Sequence, residues 1–402
     1  MKKTKTIINF DETKLIEKDE NGKLLGLVWN IKEAIISLKI GNEVTSIERN
    51  AFSSCENLEK VEISDSVIDL KEYAFAYCRS LKEIEIPNSV TSIADYAFTE
   101  CSSLKSIVIP SSVTRLGELA FSKCESLRSV EIINGLTSIS DRAFEECTSL
   151  ETIIIPESVS EISGSAFDGC VSLKKVIIDD KNQNYKMQDG SLYSKDGKEL
   201  IKYGLCKTET VSNKVIIPQG ITKIGDNAFL GCELLESIVL PQGVTSIGER
   251  AFASCKNLIS IEIPSGVTDI GAFAFINCSS LEKVLLPSSL ATIERCLFSK
   301  CVSLKHMNIP EGVTSIGDFA FDQCSLSTIT LPNSLNSIGE YAFDECGPLT
   351  VVIGENVKKI KANAFYDWDK VKIYCKASSK PKGWSTRWVG KKTSVIWGYK
   401  GN

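Results

Sequence analysis

One histidine stands in the 402 residues, His306. That scarcity removes much chemistry. No metal site built on two imidazoles can form. A serine or cysteine triad would rest on His306 alone, and no nucleophile motif accompanies it. Long apolar runs are missing as well: none approaches about 18 residues, the length a transmembrane helix needs. There is no C-x-x-C pair to support zinc, and no phosphate-binding or dinucleotide fingerprint. Carboxylates are abundant, but no spacing singles out an acid and a base. These absences point away from an enzyme and call for no cofactor and no metal. The formal charge of −5 is mild and indicates no general or specific affinity for nucleic acid.

What the chain has is a repeat. One copy reads Ala97-Phe98-x-x-Cys101-x-x-Leu104-x-x-Ile107-x-Ile109-Pro110-x-x-Val113-x-x-Leu116, and the next opens at Ala120-Phe121. Phe recurs at 52, 75, 98, 121, 144 and 167, then at 229, 252, 275, 298 and 321, and again at 343 and 365. Apolar marks at fixed offsets in a period of about 20 to 30 residues are the signature of a leucine-rich-repeat solenoid. Ile107 and Ile109 alternate with Val108, as in a strand, and Pro110 ends it. Val113 and Leu116 return to the core. A short helical turn is expected over 118–123, with Ala120 small enough for close approach and Phe121 central in a stacked phenylalanine spine. The expected architecture is α/β: a leucine-rich-repeat solenoid of about thirteen rungs, capped at both ends, with a β-hairpin insert.

The pattern A-F-x-x-C-x-x-L-x-x-I-x-I-P-x-x-V-T-x-I resembles the BspA-like leucine-rich repeat family over residues 41–365. Members of that family with assigned roles are surface adhesins that bind host proteins or other cells. The resemblance therefore implies a surface or secreted protein that binds another protein. The N-terminus points the other way. Met1-Lys2-Lys3 opens like an export signal, but the apolar run that follows is too short for one. Read from the residues alone, the chain would be cytoplasmic.

Twelve of the fifteen cysteines share one repeat position, from Cys55 to Cys346. Neighbours one rung apart, about 4.8 Å, lie within disulfide reach. The simpler reading is a small buried hydrophobe filling one slot per rung, and free thiols fit a reducing compartment. Cys206, Cys296 and Cys375 fall outside the column, and Cys296 takes a slot held elsewhere by Tyr96 or Arg142, which predicts exposure.

Residues 1–40 do not fit the repeat. Asn21-Gly22 between apolar runs predicts a hairpin that caps the first rung, because a solenoid end exposes strand edges. Residues 41–178 form the first block of rungs, 179–215 an insert, and 216–370 the second block. Within the insert, Ser191-Leu192-Tyr193 and Leu200-Ile201-Lys202-Tyr203 flank Asp196-Gly197 and predict a hairpin. It either decorates a rung or forms a flap that presents Tyr185, Tyr193 and Tyr203 to a ligand. Residues 371–402 hold eight basic and no acidic side chains, with Trp384, Trp388 and Trp397. They read as a C-terminal cap, or as a patch for an anionic polymer or a glycan.

The outward positions of the repeated strand offer the remaining candidate site. The central column runs Glu62, Glu85, Val108, Glu131, Ile154, Ile177, Val239, Glu262, Leu285, Asn308, Thr330. Five of these are aliphatic, and the adjacent column is mostly small and polar. Either strand propensity alone places them there, or Val108, Ile154, Ile177, Val239 and Leu285 form a protein-binding face. The residues thus define a monomeric, non-catalytic interaction scaffold. A recognition module for glycans or anionic cell-wall polymers, and an intracellular scaffold, are the alternatives.

Overall fold

The computed structural model describes residues 7–9, 16–18, 24–27, 32, 35–42, 44–206, 213–347, 349–366, 371–390 and 393–401; of the first three stretches it describes only the backbone. It divides into two compact units, Met1–Asp196 with Gly204–Glu209, and Gly197–Tyr203 with Thr210–Asn402.

Each rung has three sides. The first is a front strand whose alternating side chains face in and out, as in Ser106–Ile109 with Ile107 and Ile109 buried. The second is a two-residue strand such as Arg115–Leu116. Both pair in parallel with the same positions of neighbouring rungs: Ile107 opposes Val130, and Leu116 opposes both Ile93 and Ile139. The 23-residue spacing is thus the register itself. A slip of one residue would turn every inward side chain outward.

The third side is not helical. Among the described residues there is no α-helix, so the fold is an all-β solenoid rather than α/β. The segment that includes Ala120 and Phe121 is a run of tight turns whose amide groups alternate in direction. Ala97, Thr99 and Cys101 donate within the rung, to Ala94, Tyr96 and Phe98 carbonyls. Tyr96, Phe98 and Glu100 donate to Glu118, Ala120 and Ser122 of the next rung. Residues two before and two after most phenylalanines have positive φ, for example Tyr96 (61°) and Glu100 (57°). A non-glycine residue in that region costs about 1 kcal/mol. The rung-to-rung bonds hold it there, because an unpaired buried amide costs at least as much.

The solenoid has about fifteen turns rather than thirteen. One addition lies at the insert. Glu199–Lys202 pairs in parallel with Lys223–Ile224, and Tyr203 stacks on Phe229 at 4.8 Å. The Tyr203 amide bonds the Ala228 carbonyl at 2.9 Å, as the Phe98 amide bonds that of Ala120. Tyr203 therefore occupies a phenylalanine slot, hidden in the sequence by irregular spacing. The other addition is the tail. Ser394–Trp397 pairs with Lys372–Cys375, Trp384 bridges to Ile360, and Trp388 meets Phe365 edge-on at 5.9 Å. Trp384 and Trp388 are buried, so the tail continues the stack as a further rung. At the other end Ile16–Lys18 and Leu24–Leu27 form an antiparallel pair, with Leu24 opposite Ile47 of the first two-residue strand. The expected Asn21-Gly22 turn lies outside the described residues.

The core is a set of columns. From Phe52 to Phe167 the rings stack at centroid spacings of 5.1 to 5.7 Å, nearly parallel. Phe121 is fully buried between two such neighbours. Phe121→Ala is expected to lower unfolding stability by about 3–5 kcal/mol, while Glu131→Ala on the outer face stays within about 0.5 kcal/mol. Urea titration of the two variants checks both values.

Candidate interaction surface

The repeated cysteines form a column that is buried except at the half-buried Cys232. All fifteen cysteines stand as thiols. The thiol of Cys101 donates to the Phe75 carbonyl at 3.2 Å, and Cys124, Cys147, Cys278 and Cys301 repeat that bond one rung after another. The slot was legible as a small buried hydrophobe; the structure adds that the S–H satisfies a turn carbonyl. Burial pushes the thiols of Cys101, Cys124, Cys147, Cys278 and Cys301 well above their ordinary pKa, and that of Cys375 up to about 12. Cys296 is buried, contrary to the exposure its neighbours predicted: burial likewise raises its pKa, with Arg295 beside it opposing.

Of the three insert tyrosines, Tyr185 and Tyr193 are buried and Tyr203 is half-buried. Tyr185 is buried, and its hydroxyl accepts the Ile162 amide at 2.8 Å and donates to the Ser160 carbonyl at 2.9 Å. Tyr193 is buried, and Tyr203 belongs to the ring stack. The hairpin at this place pairs Tyr185–Gln188 with Ser191–Ser194 and turns at Asp189-Gly190, both at positive φ. His306 faces solvent as expected, with Nδ1 2.9 Å from the Thr328 hydroxyl. Among the described residues no helix is long and apolar enough to cross a membrane.

The front sheets keep their aliphatic side chains outward. Val108 is 49 % exposed and Ile154 45 % in the first unit; Ile177 beside Ile154 is half-buried. In the second unit Val239 is 59 % and Leu285 47 % exposed. Sequence reasoning missed the most exposed of them, Ile216 at 77 %. Ile216 lies directly opposite Val239, on the strand Lys214–Ile216. The signal was available: Val215-Ile216-Ile217-Pro218 matches the strand ending Ile107 to Pro110 with Val in the first place. The flanking column is short or polar, with Ser106, Ser129, Ser237 and Ser260, so the aliphatic groups stand uncovered. A solvated sheet face ordinarily carries polar groups at such positions, and exposed apolar clusters mark interaction sites.

The tail presents a different surface. Lys372, Lys380, Lys382, Arg387 and Lys400 are exposed. Trp384 and Trp388 are buried and Trp397 half-buried; the three pack together at 4.8 to 6.2 Å, and Trp384 Nε1 donates to the Val357 carbonyl at 2.9 Å.

Comparison with known proteins agrees with this construction. The profile of the BspA type leucine rich repeat region (6 copies) matches residues 30–135, 68–195, 200–317 and 268–380. The chain belongs to the BspA-type leucine-rich repeat family. It is similar to a leucine rich cell surface protein of Faecalibacterium prausnitzii, at 32% identity and a TM-score of 0.55, over 83% of this chain and 80% of that one. A leucine-rich repeat protein of Eubacterium ventriosum is 25% identical with a TM-score of 0.62, over 83% of each chain. The pneumococcal vaccine antigen PcpA shares the fold at 21% identity and a TM-score of 0.59, over 95% of this chain and 96% of that one. A search of curated proteins gives no match.

The buried thiols set a pH dependence. Unfolded thiols ionise near pH 8.5, whereas burial keeps those of Cys101, Cys124, Cys147, Cys278 and Cys301 protonated well above that. Above about pH 8.5 the unfolded chain loses protons that the folded chain keeps, so stability is full below that pH and falls as pH rises, by about 1.4 kcal/mol per pH unit per thiol. Urea midpoints are expected to be flat from about pH 7 to 8 and to drop steeply toward about pH 10. The drop should be shallower in Cys124→Ala; a flat profile throughout would contradict thiol burial.

Proposed function

We propose that the chain is a non-catalytic interaction scaffold that binds a partner protein through the aliphatic positions of its front sheet, in the manner of a surface adhesin. The observation that carries this reading is the exposure of Val108 and Ile154 in the first unit, and of Ile216, Val239 and Leu285 in the second. These side chains do nothing for the core, whose inward positions are filled by Ile107, Ile153, Ile238 and Val284. The relative from F. prausnitzii is described as a cell surface protein, which supports a surface location for this chain too. An intracellular scaffold would use the same face.

A second reading concerns anionic polymers. The exposed Lys372, Lys380, Lys382, Arg387 and Lys400 favour it; the buried tryptophans weigh against an aromatic glycan site. Such binding would be electrostatic, and added salt would abolish it.

The test uses the full chain immobilised against surface-labelled epithelial proteins. Val108→Lys with Ile154→Lys is expected to weaken capture of the bound partner by at least roughly tenfold, the scale of losing two buried anchors. Both sites face outward, so the thermal midpoint should not move. Unchanged affinity would remove this face as the site.

A further inference from the structure

The front face of the second unit changes character along the stack. Glu262 is the last acidic residue within its strands; Glu311 and Glu355 stand beyond the strand ends, Glu311 bonded to Asn333. The six strands Lys283–Leu285, His306–Asn308, Thr328–Thr330, Thr350–Ile353, Lys372–Cys375 and Ser394–Trp397 carry no carboxylate, while Lys283 and Lys372 contribute positive charge. The outward column here runs Thr330, then Val352, Tyr374 and Ile396, the last three directly opposite one another.

A notch of about 240 Å³ opens at the corner of this face, lined by Ile329, Thr330, Pro332, Val352, Gly354 and Lys376 among others. Its origin is one substitution in the repeat. Preceding rungs end the front strand in proline, as at Pro310 and Pro332; the next places Gly354 there. A Cβ built on Gly354 meets nothing within 4 Å. The missing ring leaves the space, and Pro332 and Val352 give it apolar walls. Lys376 stands on the rim, half-buried, its amide held by the Ile353 carbonyl at 3.0 Å. Among the described residues no ion pair engages its ammonium group. The notch falls below the roughly 300 Å³ at which small-molecule pockets begin, and its size suits one aliphatic side chain.

We propose that this notch is the anchor point for an extended acidic segment of the partner protein: a leucine-sized side chain fills the space over Gly354, and a neighbouring carboxylate pairs with Lys376. The inference rests on the docking reading above and names its partner's chemistry. The apolar walls supply burial energy, and the carboxylate-free strands with Lys283 and Lys372 disfavour basic segments laid along them. Like charges set across a contact exclude a partner more strongly than opposite charges favour one.

The test is a peptide array probed with the labelled full chain. Ten-residue peptides carry a central Leu or Ala in frames rich in Asp and Glu or rich in Lys. The acidic Leu peptides are expected to be retained over their Ala counterparts by roughly tenfold or more, the worth of one buried aliphatic side chain. Gly354→Leu fills the notch from a position with open space and an ordinary φ, and it should abolish the Leu preference. Gly354→Pro, which restores the residue of the two preceding rungs, should do the same. Lys376→Glu should remove the preference for acidic frames. No retention of the acidic Leu peptides, or a Leu preference that survives Gly354→Leu, overturns the proposal. If partner capture depends on Val108 and Ile154 while the array shows no preference, the docking reading stands and this site alone falls.

Discussion

Every part of this molecule depends on one constraint: each residue lies against its counterpart one rung away. The backbone meets that constraint on all three sides. Two sides satisfy it with parallel strands, Ile107 on Val130 and Leu116 on Ile139. The third does so with turns, where every second amide reaches the next rung. Stacked identical positions then become columns. Phenylalanine rings meet at about 5 Å, the offset spacing aromatic pairs favour. Most of the repeated cysteine thiols meet the carbonyl of a phenylalanine in the preceding rung. Serines before the second side do the same, with Ser89, Ser112 and Ser158 each donating to the carbonyl 22 residues back.

Much of this was legible in the residues, because inward positions admit few side chains. A period of 23 with Phe, Cys, Leu, Ile and Val at fixed offsets leaves little freedom in fold or core. The failures share a physical cause. A side chain type reports burial well and backbone direction poorly. Tyr73, Arg142 and Phe319 stand at positive φ, where glycine or asparagine is the usual sign, so the turn ladder read as helix. Tyr203 fills a phenylalanine slot but follows an irregular spacing. Cys296 was judged by an arginine and a tyrosine that share its slot, although those long side chains run along the surface and a cysteine cannot. Whether Tyr185 and Tyr193 decorate a rung or face a ligand stays open in the sequence, because nothing local shows which face of the insert meets the core.

The same logic locates function. Inward columns are uniform, so they carry the frame. Outward positions are free to differ, and there the chain departs from a solvated sheet: Val108, Ile154, Ile216, Val239 and Leu285 among serines and carboxylates. The departure at Gly354 is of the same kind, a loss of the repeat's proline that leaves a space with a lysine beside it. A scaffold in which structure and recognition occupy opposite faces can change its partner without refolding its core.

The account rests most directly on the turn side being a hydrogen-bonded ladder as firm as the strands. Amide hydrogen exchange on the full chain measures this. The Phe98, Phe121 and Phe144 amides, bonded to the next rung at 2.7 to 2.9 Å, should exchange as slowly as those of Ile107 and Val130. Exchange at these phenylalanines at the rate of exposed loops would contradict the account, because the rungs would then be joined on two sides only.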